Sequence, residues 1–139
     1  MIHDVANANV PKFTLIVGAS NGAGNYAMCG RGYNPRMLWM LPHGRISVMG
    51  GEQAADVLAS VKINQLLKEG QKLSDADIAA IREPILNKYE IEGSPYFSTS
   101  RIWDDGIIDP LDIRTVLGLG IAMSLNQPIP EHNFGVFRM

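Results

Sequence analysis

The feature that most constrains this chain is a strand-forming run that ends in a glycine-rich turn and leads into a helix. Phe13 to Val17 is an apolar, strand-forming run, and Gly18, Gly22 and Gly24 follow within seven positions. Residues 23–29 are then predicted to begin a helix. The first N–H groups of a helix have no partner within it, and glycine lets a ligand approach the backbone closely. The pattern predicts a corner that binds an anion or an oxyanion through backbone amides.

Three specific hypotheses compete for this corner, beside a purely structural one. Gly18 to Gly22 matches the G-x-S-x-G nucleophile elbow, in which Ser20 would be the nucleophile of a hydrolase. Gly22 to Ala27 matches the G-x-G-x-x-A pattern of dinucleotide-binding turns. The third hypothesis is an oxyanion hole made of backbone amides alone. A tight turn that needs small residues for packing would account for the same glycines.

The composition bounds the class of protein. The chain has 139 residues, enough for one domain with a core, and its 46% hydrophobic and 19% charged residues are typical of a globular protein. A net charge of −2 without any basic run argues against a nucleic-acid partner. Its apolar runs are far shorter than the ~20 residues of a membrane span. The single cysteine, Cys29, excludes a disulfide framework and suits a reducing compartment.

Alternating strand and helix signals predict an α/β protein. Strands are predicted at 13–17, 37–41, 45–48 and 107–108, and the third of these leads into a second glycine corner at Gly50-Gly51. Helical spacing and prolines predict helices over residues 1–9, 52–68, 74–92, 95–103 and 111–126. The third of these starts at Ser74-Asp75-Ala76-Asp77, which resembles a capping box. Among their side chains, Leu58 and Ile121 are expected to face inward. Because a helical pattern already runs at residue 1, the chain is expected to be cut from a longer one.

Two of the hypotheses for the first corner lack their partner residues. The order of a nucleophile elbow requires a histidine downstream of Ser20, and His132 alone lies late enough, while the usual hydrolase sheet does not fit in 139 residues. A dinucleotide site needs an acidic residue ~20 positions after the glycines. That region holds His43, Gly44 and Arg45 instead. The sequence therefore favours the backbone oxyanion hole.

Other chemistry-bearing residues are predicted to have structural roles. Asp104, Asp105 and Asp109 stand beside glycine and proline, which favours turn and cap functions over a metal site. Cys29 has no base near it in sequence and is interpreted as a small buried residue.

Four segments of the chain resemble one enzyme family closely. The segments are VPKFTLIVGASNGAGNYAMCGRGYNPRMLWMLP, RISVMGGEQAADVLASV, SPYFSTSRIWDDGIIDPLDIRTVLGL and FGVFRM. Together they resemble the β-subunits of methylcrotonoyl-CoA carboxylases and, more loosely, those of geranyl-CoA and propionyl-CoA carboxylases. The resemblance implies that residues 1–139 form the later part of the second of two crotonase-like domains. Two positions depart from the family pattern, since relatives usually carry a glycine at Ala19 and an aromatic residue at Asn21.

The resemblance implies an α/β fold of the ClpP/crotonase type, a ββα superhelix, with carboxyltransferase activity. Carboxybiotin would give CO2 to 3-methylcrotonyl-CoA, a step of leucine degradation, at a backbone oxyanion hole. The biotin would arrive on a partner α-subunit, which alone uses ATP, and the β-subunits would form a homo-oligomer, a hexamer in the family. The location would be the bacterial cytoplasm, or the mitochondrial matrix in a eukaryote. The chain alone is expected to be inactive.

The resemblance also assigns site residues by position. Ala23 and Gly24 would be catalytic, because their amides would face the biotin carbonyl. A second set would bind the cofactor: Gly22, Asn25, Tyr26, Gly50, Gly51 and Gln53. No metal site, nucleic-acid partner or membrane partner is implied. Missing neighbours should leave apolar surface exposed, with these aromatic residues as candidate contributors: Trp39, Tyr96, Phe97 and Trp103.

Overall fold

The structure combines strands and helices in one α/β unit, as the sequence predicts. The computed structural model describes residues 1–70, 74–132 and 135. Its strands are β1 (Phe13–Ile16), β2 (Ala19–Asn21), β3 (Met37–Met40) and β4 (Arg45–Ser47). Its helices are α1 (Ile2–Asn7), α2 (Gly22–Ala27), α3 (Gly51–Lys68), α4 (Asp75–Glu92), α5 (Pro95–Ser100) and α6 (Ile113–Ser124). Single 3-10 turns lie at Arg31–Tyr33 and Pro110–Asp112. Within the described residues, no helix is both long enough and apolar enough to cross a membrane.

The strands form two parallel pairs, β1 with β3 and β2 with β4. Between the two pairs, the Arg45 amide donates to the Gly18 carbonyl at 3.0 Å. The prediction that the first strand leads straight into the glycine turn and helix is therefore wrong in one respect. A short second strand, β2, lies between them because residues 19–21 find a pairing partner in β4.

The core lies on β1 and β3, where Ile16, Leu38 and Met40 are buried and Ile46 of β4 packs against them. Burying such aliphatic side chains stabilises the fold by about 1.5–3 kcal/mol each. The predicted strand at 37–41 is apolar throughout because its side chains lie in or beside this core. The short strand predicted at residues 107–108 is reduced to a single parallel bridge between Met40 and Ile107.

Helix α6 packs on β1 and β3 through a glycine. Phe13 and Trp39 stack with ring centroids 6.1 Å apart, and a Cβ on Gly120 would come within 3.0 Å of the Phe13 ring. Trp39 is consequently buried, which corrects the expectation that it contributes exposed surface. Ile121 is 51% exposed rather than inward-facing. Its neighbour Gly120 makes the contact, and the next residue on a helix points about 100° away.

Helices α3 and α4 form a hairpin that packs beside the second strand pair. The contact face of α3 consists of small residues, Ala54, Ala55 and Ala59, all of them buried. Leu58, expected to face inward, is 49% exposed because it lines an open cavity between α3 and α4.

The capping box predicted at the start of α4 is confirmed. The Ser74 hydroxyl accepts from the Asp77 amide, and the Asp77 carboxylate accepts from the Ser74 amide at 2.9 Å. These bonds satisfy two backbone donors that the helix leaves open.

Candidate functional site

The two glycine corners lie side by side at one edge of the β2–β4 pair. Strand β2 ends at Asn21 and α2 begins at Gly22, while β4 ends at Ser47 and α3 begins at Gly51. Because β2 and β4 are parallel neighbours, both helices start from the carboxyl edge of the sheet, where α/β proteins bind ligands. A cavity of about 500 Å3 opens there, lined by both corners: Asn21, Gly22, Val48, Met49, Gly50, Gly51, Glu52 and Gln53.

A second cavity lies on the other side of Gly22 and Val48. Its volume is about 380 Å3, and its lining residues are Gly22, Ala23, Asn25, Tyr26, Ile46, Ser47, Val48 and Trp103. Every residue that the sequence assigned to the site thus lies along one cavity or the other, except Gly24. Gly24 is exposed and follows directly on Ala23.

Gly22 and Gly24 of the first corner are needed for different reasons. Gly22 has a positive φ of +54°, and a Cβ there would stand 2.9 Å from the Val48 carbonyl oxygen. Gly24 lies within the helix, and a Cβ there would meet nothing within 4 Å. The backbone conformation therefore demands glycine at position 22. At position 24 the missing side chain leaves the approach to the backbone open.

The two corners offer backbone amides to a ligand, beside the polar side chains of Asn21, Glu52 and Gln53. No side chain caps α2 or α3. The Ala23 and Gly24 amides lie in the first turn of α2, where a helix leaves its N–H groups without internal partners. Helix α2 has only six residues, so its dipole is small. The 18-residue α3 carries the larger positive end, at Gly50 and Gly51.

Ser47 connects the corners. Its hydroxyl lies 2.7 Å from Asn21 Oδ1 and 2.5 Å from the Met49 carbonyl oxygen, both within donating distance. This contact fixes the loop before α3 against the end of β2. It also keeps the Asn21 side chain against the wall of the cavity.

Asn25 and Tyr26 are held by contacts of their own. The Asn25 amide Nδ2 donates to Ser20 Oγ at 2.9 Å, and a Cβ on Gly30 would fall 1.9 Å from Asn25 Oδ1. Asn25 is therefore packed tightly, and it contributes structure as well as cavity wall. Tyr26 is 52% exposed and meets Tyr33 edge to face, with ring centroids 5.8 Å apart.

The position of Ser20 does not suit a hydrolase nucleophile. Ser20 lies in the middle of β2, paired with Ile46, rather than on a sharp turn between strand and helix. Its hydroxyl accepts a hydrogen bond from the Asn25 amide. An amide N–H cannot take up a proton, so this partner cannot act as the base that a serine nucleophile requires.

The aspartates near residue 105 have the structural roles that the sequence predicts. Asp104 Oδ1 accepts from the Gly106 amide at 3.0 Å, and Asp109 Oδ1 accepts from the Leu111 amide at 2.8 Å. Among the described residues, no group of three histidine, cysteine or acidic side chains could hold a metal ion. Cys29 is buried, as predicted, with its Sγ 3.8 Å from the Tyr33 carbonyl oxygen.

Three residues that shape the site were not expected there from the sequence: Ser47, Val48 and Trp103. The alternation of a strand could have placed Ile46 and Val48 on one face, just before the second corner. Trp103 is 55 residues further along the chain than Val48, and no local pattern connects the two.

Known proteins resemble the chain along its whole length. The carboxyl transferase domain model matches residues 1–137. A biotin-dependent 3-methylcrotonyl-coenzyme A carboxylase β1 subunit of Mycobacterium tuberculosis is 55% identical over 100% of this chain and 26% of its own length. A probable mitochondrial methylcrotonoyl-CoA carboxylase β chain of Drosophila melanogaster is 54% identical over 100% of this chain and 24% of its own. The chain thus spans about a quarter of the length of these relatives.

Among solved structures, the β subunit of Pseudomonas aeruginosa geranyl-CoA carboxylase superposes with a TM-score of 0.76 at 40% identity. The match covers 99% of this chain and 26% of that subunit.

Proposed function

Because the chain belongs to the carboxyl transferase family, we propose that it forms the biotin-facing part of the active site of a biotin-dependent acyl-CoA carboxylase. The crotonase-like α/β fold expected from the sequence is the fold of its structural neighbours. The reaction would be the transfer of CO2 from carboxybiotin to an acyl-CoA.

The observation that carries this proposal is the shared edge at which both glycine corners open. Gly22 lines the cavity of each corner, and Gly50, Gly51 and Gln53 complete the second one. Biotin has a polar ureido group on an apolar bicyclic frame. The 380 Å3 cavity offers matching surfaces, with backbone at Gly22 and Ala23 and apolar side chains at Val48 and Trp103. Its volume is within the usual range for small-molecule sites.

The chain's own contribution to the reaction would be electrostatic. Carboxybiotin, when bound, supplies the carboxyl group that is transferred. The Ala23 and Gly24 amides would donate hydrogen bonds to the ureido oxygen and stabilise the negative charge that develops there. Such preorganised donors are worth ~100- to 1,000-fold in rate each. Gly22, Asn25 and Tyr26 would shape this pocket, while Gly50, Gly51 and Gln53 would form the neighbouring wall.

We take 3-methylcrotonyl-CoA, an intermediate of leucine degradation, as the substrate. The support is the 55% identity to the 3-methylcrotonyl-CoA carboxylase subunit, against 40% to the geranyl-CoA carboxylase subunit. Geranyl-CoA and propionyl-CoA are the alternative substrates.

The proposal extends to the assembly. Biotin would be carried on an α-subunit that also uses ATP, and β-subunits would associate with one another. Self-association is supported by apolar side chains at the surface, including Tyr96 at 71% and Leu111 at 90% exposure. In a bacterium the complex would work in the cytoplasm. In a eukaryote it would work in the mitochondrial matrix, as the name of the fly relative indicates for that protein.

The test is carboxylation by the complete β-subunit that contains this chain, assembled with its biotin-carrying partner. Incorporation of labelled bicarbonate into acid-stable product should depend on ATP, and its kcat/KM should be highest with 3-methylcrotonyl-CoA. Preference for geranyl-CoA or propionyl-CoA would correct the substrate. Absence of incorporation with all three acyl-CoAs would refute the proposed function.

A further inference from the structure

Trp103 stands between two cavities, although it is distant from both glycine corners in sequence. It lines the 380 Å3 cavity together with Ala23 and Tyr26. It also lines a cavity of about 500 Å3 beside α4, together with Val48, Leu58, Ile85 and Tyr89. The indole is 41% exposed, so it is a wall of these cavities and not a core residue.

The backbone before Trp103 is held in a strained conformation. Helix α5 ends with the Ile102 amide donating to the Thr99 carbonyl at 3.0 Å and the Trp103 amide donating to the Ser98 carbonyl at 3.1 Å. This is the Schellman motif, whose left-handed position is usually glycine. Here it is Ile102, with φ of +60°, which is unfavourable for a β-branched residue. Such strain persists where the surroundings hold it in place.

Two neighbouring carboxylates hold the segment after Trp103. Asp104 is 3% exposed, and its Oδ1 accepts from Thr99 Oγ1 at 2.7 Å as well as from the Gly106 amide. Asp105 exchanges two hydrogen bonds of 2.7 Å with the backbone of Leu38 in β3. The turn is thereby fixed to α5 by Asp104 and to β3 by Asp105.

The two oxygens of the Asp104 carboxylate differ in their hydrogen bonding. In the described part of the chain its Oδ2 is buried without a hydrogen-bond partner. Burying a carboxylate that is only half satisfied costs stability. This side chain therefore stabilises the structure through Oδ1, which holds together the turn that follows Trp103.

We propose that Trp103 is the aromatic wall of the biotin subsite and determines affinity for the biotin ring, with Asp104 as the positioning residue that holds it there. This inference rests on the proposed function. Trp103 shares its cavity with Ala23 and Tyr26, and its ring meets Phe97 edge to face with centroids 5.7 Å apart. A partly exposed indole offers a large, rigid apolar contact to a bicyclic ring.

The test uses the complete enzyme in the reverse half-reaction, from a carboxylated acyl-CoA to free biotin. This reaction breaks the carbon–carbon bond to the transferred carboxyl group and forms a carbon–nitrogen bond on biotin. The nitrogen proton of biotin passes to the acyl-CoA. Trp103→Ala should raise the KM for free biotin about tenfold and Trp103→Phe about threefold. The kcat and the KM for the acyl-CoA should stay within about twofold of the wild-type values. The lost contact with biotin would be equally strong in the ground state and in the transition state, so its removal raises only the KM for biotin.

Asp104 is tested by a matched pair of variants. Asp104→Asn keeps an oxygen acceptor and should retain the wild-type KM for biotin, whereas Asp104→Ala should reproduce the shift of Trp103→Ala. Should Asp104→Ala fail to fold, Thr99→Val, which removes the hydroxyl donor at 2.7 Å, should raise the same KM about threefold. Asp109→Ala, which removes an exposed cap from the next turn, is the control and should change neither KM.

The outcomes separate this inference from the proposed function. An unchanged KM for biotin in Trp103→Ala, or a rise confined to the acyl-CoA, would overturn the assignment of Trp103. A biotin KM in Asp104→Asn as high as in Trp103→Ala would overturn the positioning role, because the retained acceptor would then have no effect. A wild-type enzyme without transfer to biotin would refute the proposed function instead.

Discussion

Gly22 lies so close to Val48 that a Cβ on Gly22 would stand 2.9 Å from the Val48 carbonyl oxygen. The contact joins the start of α2 to the loop that leads into α3, and both residues line both cavities of the site. The distance between the two glycine corners is therefore set by a backbone approach that a larger residue would prevent.

Replacing this glycine should destabilise the protein. Gly22→Ala forces an alanine into a left-handed conformation at φ +54° and against a backbone oxygen, so we expect a loss of ~2 kcal/mol or more. Gly24→Ala, at a helical position with nothing within 4 Å, is the matched control and should unfold like the wild type. Urea denaturation of both variants measures the difference. Equal urea midpoints for Gly22→Ala and Gly24→Ala would show that the backbone around position 22 can adjust to a side chain.

The Ser20 side chain should be dispensable for catalysis. Ser20→Ala removes the acceptor of the Asn25 amide, which costs about 1 kcal/mol of stability, but it removes no group that forms or breaks a bond. The kcat of carboxyl transfer in the complete enzyme should fall by less than about tenfold. A dead but folded Ser20→Ala would restore the nucleophile hypothesis.

Local chemistry made the corners predictable from the sequence. The glycines after the predicted strands at 13–17 and 45–48 placed both helix starts within one residue of their observed positions at Gly22 and Gly51. The capping box at Ser74 was also predicted from adjacent residues, and the structure confirms it. These features depend on a few adjacent residues, so the sequence carries them directly.

Features that depend on distant contacts were not predictable. Strand β2 exists because β4 pairs with it, and Trp103 reaches the site because Asp105 fixes its turn to Leu38, 67 positions away. Leu58 was expected inside from its spacing alone. It is half exposed, because it lines an open cavity, whereas the buried residues of α3 are its alanines.

Relief of the strain at Ile102 should stabilise the protein. Ile102→Gly suits the left-handed position that ends α5, and the lost side chain is 80% exposed, so little burial is sacrificed. We expect a gain of about 1 kcal/mol, which corresponds to a Tm higher by ~3 °C. Ile102→Ala is the control and should gain less, because alanine also disfavours positive φ. A lower Tm for Ile102→Gly would mean that the isoleucine side chain is stabilised by packing.

The capping box of α4 should make stability depend on pH. Hydrogen bonds from the side chain and the backbone of Ser74 hold the pKa of Asp77 below its ordinary value of 3.8. A carboxylate with a lowered folded pKa stabilises the protein above its unfolded pKa, and this contribution is lost as pH falls through the folded value. The Tm difference between wild type and Asp77→Ala should therefore shrink between pH 6 and pH 3.

The central claim, that backbone amides of the first corner stabilise the anion, is tested most directly at Gly24. Because a Cβ there meets nothing within 4 Å, Gly24→Val should fold normally, as circular dichroism and thermal unfolding can verify. Its branched side chain would block the approach to the Ala23 and Gly24 amides. Gly118→Val, at an equally open helical glycine of α6, is the matched control. We predict that carboxyl transfer by Gly24→Val in the complete enzyme is ~100- to 1,000-fold slower than in the wild type, while Gly118→Val is unchanged. A folded Gly24→Val that transfers the carboxyl group at close to the wild-type rate would contradict the claim.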